Sequence, residues 1–204
     1  MIRRTEFTPE TPYREVYDRM QAEASRVAKG DLAEGFWIGD HSLTITLGRS
    51  LKSQSQLLAS PEQVTVVEVE RGGGATMHNP GQLVLYPLLE LANRGLSPVS
   101  YLRSLEALIV EALAMDGIRA QAIEGKTGVW VGPRKIASLG VSLIDGVTRH
   151  GLALNVINDL RDFALITPCG FSADTMVSVK QYKPNATLAE YKERFARLMN
   201  QRFS

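Results

Sequence analysis

Apolar residues recur at helical spacing in three stretches of the chain and in short, β-rich runs elsewhere. Val16, Met20, Ala24 and Val27 form the first helical stripe. Thr11-Pro12 reads as its N-cap and first helical residue, where a proline loses no needed N–H, and Lys29-Gly30 ends it. Tyr101, Leu102, Leu105, Leu108, Ile109, Ala112 and Leu113 mark a second helix, opened by Ser97-Pro98 and closed near Gly117. A third begins at the capping box Thr187-x-x-Glu190 and carries Leu188, Tyr191, Phe195, Leu198 and Met199 on one face.

Runs at 36–40, 43–47, 64–69, 83–88, 118–123, 128–131, 136–144 and 147–156 predict strands. Asp145-Gly146 between the last two is a strong hairpin signal, because a two-residue turn that matches strand twist needs positive φ. Residues 51–60, anchored by Leu57-Leu58, predict a short helical turn. Most strands are joined by short turns rather than crossover helices. The expected fold is therefore α+β, a single domain over 1–204, with a mixed or largely antiparallel sheet and flanking helices. At 204 residues and 44% hydrophobic side chains, one full core can be buried.

One loop breaks the pattern. From Arg71 to Pro87 the chain reads Arg-Gly-Gly-Gly-Ala-Thr-Met-His-Asn-Pro-Gly-Gln-Leu-Val-Leu-Tyr-Pro, entered from a strand and left by one. Glycines turn backbone N–H groups toward a ligand with no side chain in the way. A long turn in which Gly and Pro only steer the chain is the alternative. The loop returns to a strand and has neither G-x-G-x-x-G before a helix nor G-K-[ST], so nucleotide binding is not indicated.

With 23 basic and 22 acidic side chains the net charge is +1, and no global field favours nucleic acid or a membrane surface. No stretch reaches the ~18 apolar residues of a spanning helix, and the N-terminus lacks the apolar core of a secretion signal. A cytoplasmic protein is expected. The single cysteine, Cys169, excludes an internal disulfide and a cysteine-rich zinc site.

Chemistry concentrates in the stretches 132–140, 150–155 and 167–170 besides the glycine loop. Cys169 lies between Pro168 and Gly170, which suits a presented thiol. Lys135 precedes an apolar strand, so its ammonium either reaches solvent or finds a partner inside. An ordinary cysteine, with a pKa of about 8.5, is mostly thiol at neutral pH, and a nearby ammonium that lowers it by about two units makes thiolate the major form. A Lys135–Cys169 pair would thus supply an activated nucleophile if the fold brings them together. His41, between two strands, reads as a solvated loop histidine, with a functional role as the alternative.

Arg71-Gly72-Gly73, His78, Pro80-Gly81-Gln82, Lys135-Ile136-Ala137, His150-Gly151-Leu152-Ala153-Leu154-Asn155 and Pro168-Cys169-Gly170 resemble, in order and spacing, the motifs of the octanoyltransferases, and so does Thr46-Leu47-Gly48-Arg49. The resemblance spans essentially the whole chain. It implies a biotinyl/lipoyl protein ligase-like fold and a two-step acyl transfer. Cys169 would attack the thioester of octanoyl-acyl carrier protein, and a lysine of a lipoyl domain would then take the acyl group as an amide. The implied acceptors are the E2 subunits of 2-oxoacid dehydrogenases and the glycine cleavage H protein. Lys135 would be the acid and base.

Substrate binding is expected from Arg71, Gly72, Gly73, Gly74, Ala75, Thr76, Met77 and His78, from Ser138, Leu139 and Gly140, and from Gly151, Leu152 and Ala153. Backbone N–H groups of the glycine loop and of Leu139-Gly140 are candidate oxyanion donors. Thioester exchange is near thermoneutral and thioester-to-amide transfer runs downhill, so neither ATP nor another cofactor or metal is expected. Arg71 contacts the carrier or holds the loop by ion pairing; His78 orients the loop, binds near the thioester, or is structural. The chain departs from the family's usual pattern at Met77, Asn79 and Ser42-Leu43, changes expected to alter the pocket rim. The rivals are an amidotransferase between lipoyl-type proteins, a silent relative that binds acyl carriers or lipoyl domains, and an ATP-dependent lipoate ligase.

Overall fold

The computed structural model describes residues 1–50, 54–58, 62, 64–167 and 175–204. Among them it has ten strands and three α-helices. A seven-stranded sheet runs in the order β1 (Arg3–Phe7), β2 (Gly35–Gly39), β6 (Gln82–Leu88), β10 (Val147–Asn155), β9 (Arg134–Ile144), β8 (Lys126–Val131), β7 (Gln121–Ile123). A second sheet orders β4 (Thr65–Glu68), β3 (Thr44–Leu47) and β5 (Ala75–His78). Two neighbouring pairs, β1/β2 and β3/β4, are parallel and the rest antiparallel, so the α+β fold with a mixed, largely antiparallel sheet is the observed one.

Strand periodicity divides the large sheet into two faces. Phe36, Ile38, Leu83, Leu85, Leu152 and Leu154 point to the core shared with α2 (Pro98–Ala114) and α3 (Leu188–Phe203). Trp37, Val84, Tyr86 and Ala153 point the other way, to α1 (Tyr13–Ala28) with its Val16, Tyr17, Met20, Ala24 and Val27. A third cluster fills the small sheet, where Ile45, Leu47, Ala75 and Met77 meet Phe163, Ile166 and Met176.

The helix ends follow their local chemistry only in part: at α1 Pro12, not Thr11, is the N-cap, with extended ψ of 137° and no side-chain cap, so the helix begins at Tyr13. Ser97 Oγ accepts the Ser100 N–H while Ser100 Oγ accepts the Ser97 N–H, a reciprocal box made without an acid. At α3 only half of the expected box forms: Thr187 Oγ1 accepts the Glu190 N–H, but the Glu190 carboxylate goes to Lys183 and Arg194. Asp116 completes that network with bonds from Tyr191, Lys183 and Arg194. Burial would raise its carboxyl, but those bonds outweigh it and hold the group well below the usual carboxylate range. The β9–β10 hairpin turns through Asp145 (φ 48°) and Gly146 (φ 84°), as Asp-Gly predicts.

Two strands escaped the pattern. β1 is polar and half-buried at the edge of the sheet, and β5 lies inside the stretch read as a glycine loop. The expected strand at 118–123 shortens to β7, and the turn at 51–60 has a 3₁₀ segment at Gln54–Gln56. No helix among the described residues is long and apolar enough to cross a membrane.

Candidate active site

A cavity of about 520 Å³ opens over the middle of β6, β10 and β9. Its walls include Arg71, Gly72, Gly73, Gly74, Ala75, Thr76 and His78 from the glycine loop and β5, Lys135, Ser138, Leu139 and Gly140 from β9, and Gly151, Leu152 and Ala153 from β10. Met77 does not line it. Alternation along β5 turns Thr76 and His78 to the cavity and sends Met77 into the small sheet's core, fully buried beside Ile45.

The loop is fixed from both sides. Gly72 donates its N–H to Val141 O at 3.0 Å, which extends the open edge of β9. Arg71, 7% exposed, bonds Thr46 Oγ1 through Nε and Nη2, the Thr46 carbonyl through Nη2, and the Gly72 carbonyl through Nη1. Arg71 thus ties the loop to β3 through hydrogen bonds to uncharged groups. Gly74 is pressed against Gln56: a Cβ there would lie 2.0 Å from Oε1, the atom that accepts the Ala75 N–H at 2.7 Å. No described residue accepts the N–H of Gly73 or Gly74.

Lys135 is buried, at 4% exposure, not solvated at a hairpin end. Its Nζ is 5.7 Å from the Trp130 ring centroid, a cation–π distance, and its stem crosses Gly128, where a Cβ would come within 2.5 Å of Cε. Gly128 adopts φ 130°, open only to glycine at low cost. The Lys135 carbonyl accepts the Val177 N–H, and Lys135 pairs with Met176 in a parallel bridge. Cys169 lies outside the described residues. Before that segment, the Thr167 N–H bonds the Gln56 carbonyl at 2.7 Å.

A polar relay explains two motifs. Asn155 Nδ2 donates to Val177 O, so its Oδ1 faces Gln82 and accepts from Nε2 at 3.0 Å. Gln82 Nε2 also donates to the Met77 carbonyl, which leaves Oε1 to accept from His78 Nδ1 at 2.8 Å. His78 thus carries its proton on Nδ1. Burial, with a smaller effect of the Arg71 charge and against the bond to Gln82, lowers its pKa to about 4, and His78 is neutral at physiological pH.

His41 is also buried, contrary to the expectation of a solvated loop. It lies 4.5 Å from Phe7 and 4.7 Å from Tyr13, with Nε2 3.0 Å from Tyr86 Oη. Burial, aided by His78, pushes its pKa well below the usual value. His150 falls to about 3, through burial and then the charges of Arg71 and Arg149. Tyr86, His150, Gln56, Leu102 and Val141 line the cavity in addition to the expected set. His150 stood in a recognised motif and Tyr86 at the end of the glycine-rich stretch, but periodicity does not reveal that their rings meet.

The family departures lie off the rim. Asn79 donates to Asp159 O and Asp162 Oδ2, both at 2.8 Å, and ties down the 3₁₀ segment Leu160–Leu165. Leu43 packs on the small sheet's core.

The family model of the lipoyl protein ligase A/B catalytic domain matches residues 12–200. An octanoyltransferase of Syntrophotalea carbinolica is 42% identical over 170 residues, 83% of this chain and 79% of that one. One from Prochlorococcus marinus is 38% identical over 168 residues, 82% and 78% of the two chains. The chain belongs to the octanoyltransferase family. It is an acyltransferase of the lipoyl/octanoyl kind that serves protein lipoylation. A lipoate-protein ligase A structure bound with ATP superposes with TM-score 0.76 at 16% identity, covering 98% of this chain and 84% of that one. An Aquifex aeolicus biotin protein ligase gives TM-score 0.54 at 12% identity, over 98% and 69%. The octanoyltransferase chain therefore has the biotinyl/lipoyl ligase-like fold expected from the resemblance.

Proposed function

We propose that the protein moves an octanoyl group from acyl carrier protein, through a thioester on Cys169, to a lysine of a lipoyl domain. The observation that carries this reading is Lys135: a buried lysine on the cavity wall whose backbone pairs with Met176, just past the segment that holds Cys169. In the first step the Cys169 thiolate attacks the donor carbonyl, the C–S bond to the carrier breaks, and the carrier's sulfur takes a proton from the Lys135 ammonium. In the second the acceptor amine attacks, gives a proton to Lys135, and the Cys169 thiolate leaves. The N–H groups of Gly73 and Gly74 are the candidate donors to the oxyanion. The acyl chain occupies the cavity, whose volume of about 520 Å³ also admits part of the carrier's arm.

The same reading takes 1–204 as one catalytic unit working in the cytoplasm without a cofactor, with E2 subunits and the H protein as acceptors. It is tested by incubating octanoyl-acyl carrier protein with an isolated lipoyl domain and recording the acceptor's mass without ATP. One octanoyl increment on the acceptor is expected, and Lys135→Met should slow it by about 10²-fold or more. Transfer that requires free octanoate and ATP would contradict the mechanism, and so would a Lys135→Met protein of undiminished rate.

A further inference from the structure

Along β10 the side chains alternate, with Leu152 and Leu154 under α2 and α3 and Ala153 under α1. His150 leaves this order. By alternation it belongs with Leu152, yet its ring packs on the α1 side, 5.7 Å from Tyr17 and edge-on to Tyr86 at 5.9 Å. The reversal is made by its backbone, which has φ 57° in the middle of a strand, and its N–H reaches Met20 Sδ at 3.4 Å. Glycine would make this turn without strain, whereas another residue costs roughly 1 kcal/mol or more. A strained histidine held on a cavity wall points to a use for its side chain.

Exposure along the cavity tells which end it occupies. Ser50, Gly125, Lys126 and Thr127 are exposed and form the mouth, while His78, Tyr86 and His150 are 5%, 3% and 1% exposed and form the floor. Val141, directly across from His150, is six residues along β9 from Lys135, or ~20 Å of strand. Between the two ends the wall combines the small residues Gly140, Gly151 and Ala153 with the apolar side chains of Leu139 and Leu152. Behind the floor, Tyr86 Oη meets His41, and His150 rests on Tyr17 and Met20, so the floor cannot recede without unpacking the core under α1. No described residue bonds His150 Nε2.

We propose that His150, with Tyr86 beside it, is the end stop of the acyl channel and sets the longest chain the enzyme accepts. The inference rests on the reading of this cavity as the acyl site. His150 is here a specificity-determining residue and takes no part in proton transfer.

The test measures kcat/KM for hexanoyl to tetradecanoyl carrier-protein donors with the unaltered protein, His150→Asn and His150→Gly. Both replacements tolerate φ near 57°, so the strand keeps its course. The optimum should lengthen from His to Asn to Gly, with the dodecanoyl-over-octanoyl ratio rising about tenfold or more in His150→Gly. A uniform loss of rate at every length would make His150 a mere support and overturn the proposal. So would an unaltered protein that takes dodecanoyl as readily as octanoyl, whatever the variants do. Absence of transfer from any carrier-protein donor would instead overturn the functional reading, and the end stop with it.

Discussion

Single residues in this protein do their work through the space that a neighbour leaves. Lys135 reaches the cavity wall because Gly128 has no side chain and holds φ 130°. Gly128→Ala would place a methyl 2.5 Å from Lys135 Cε and 2.7 Å from the Ala137 carbonyl, and the backbone oxygen cannot move aside cheaply. We expect a loss of about 2 kcal/mol or more in urea unfolding, with activity falling further than stability because the lysine is displaced. Full activity in Gly128→Ala would contradict this placement of Lys135. At this scale the sequence was partly legible. The motifs named most cavity residues, but Met77 points away, and the meeting of the Tyr86 and His150 rings, 64 residues apart in the chain, came into view only when β6 and β10 were paired.

Elements were more legible than their partners. The three helices and the β9–β10 hairpin lie where the stripes and Asp-Gly put them, because those signals are local, whereas the caps were read less well: α1 starts one residue later than Thr11-Pro12 indicated, and α3 forms half of its box. β1 was missed because an edge strand needs no strong apolar alternation, and β5 because Gly72-Gly73-Gly74 in front of it reads as loop. The docking of α3 on α2 depends on a network that no local signal announces. Asp116, just beyond α2, takes bonds from Tyr191, Lys183 and Arg194, and its side chain is 9% exposed. Asp116→Ala leaves the Arg194 charge, 10% exposed, to Glu190, the Ala112 carbonyl and the face of the Tyr191 ring. The expected cost is about 2 kcal/mol, at the low end for a buried pair because Glu190 remains. A melting temperature unchanged in Asp116→Ala would remove the network from the account of helix docking.

At the scale of the molecule, all three histidines are buried around one aromatic cluster next to the cavity, and all are kept neutral. Their pKa values are lowered, to about 4 for His78, to about 3 for His150 and well below the usual value for His41. Unfolded histidines titrate near 6.5, so below that pH the unfolded chain binds more protons than the folded one. Stability is therefore whole above about pH 6.5 and is lost as pH falls toward the folded values, with each histidine contributing a slope of up to about 1.4 kcal/mol per pH unit. Urea unfolding should lose about 3 kcal/mol between pH 6 and pH 5 and change little between pH 7 and pH 8. A flat profile from pH 7 to pH 5 would contradict the neutral cluster.

The fold places a buried lysine and a fixed glycine loop on one cavity, and the proposed function has an acyl group pass through that cavity bound to Cys169. The most direct measurement is the intact mass of the protein after incubation with octanoyl-acyl carrier protein and no acceptor. The account predicts a single octanoyl increment that hydroxylamine removes and that Cys169→Ser never acquires. An unmodified mass with the donor consumed only when acceptor is present, or an increment that survives Cys169→Ser, would contradict it.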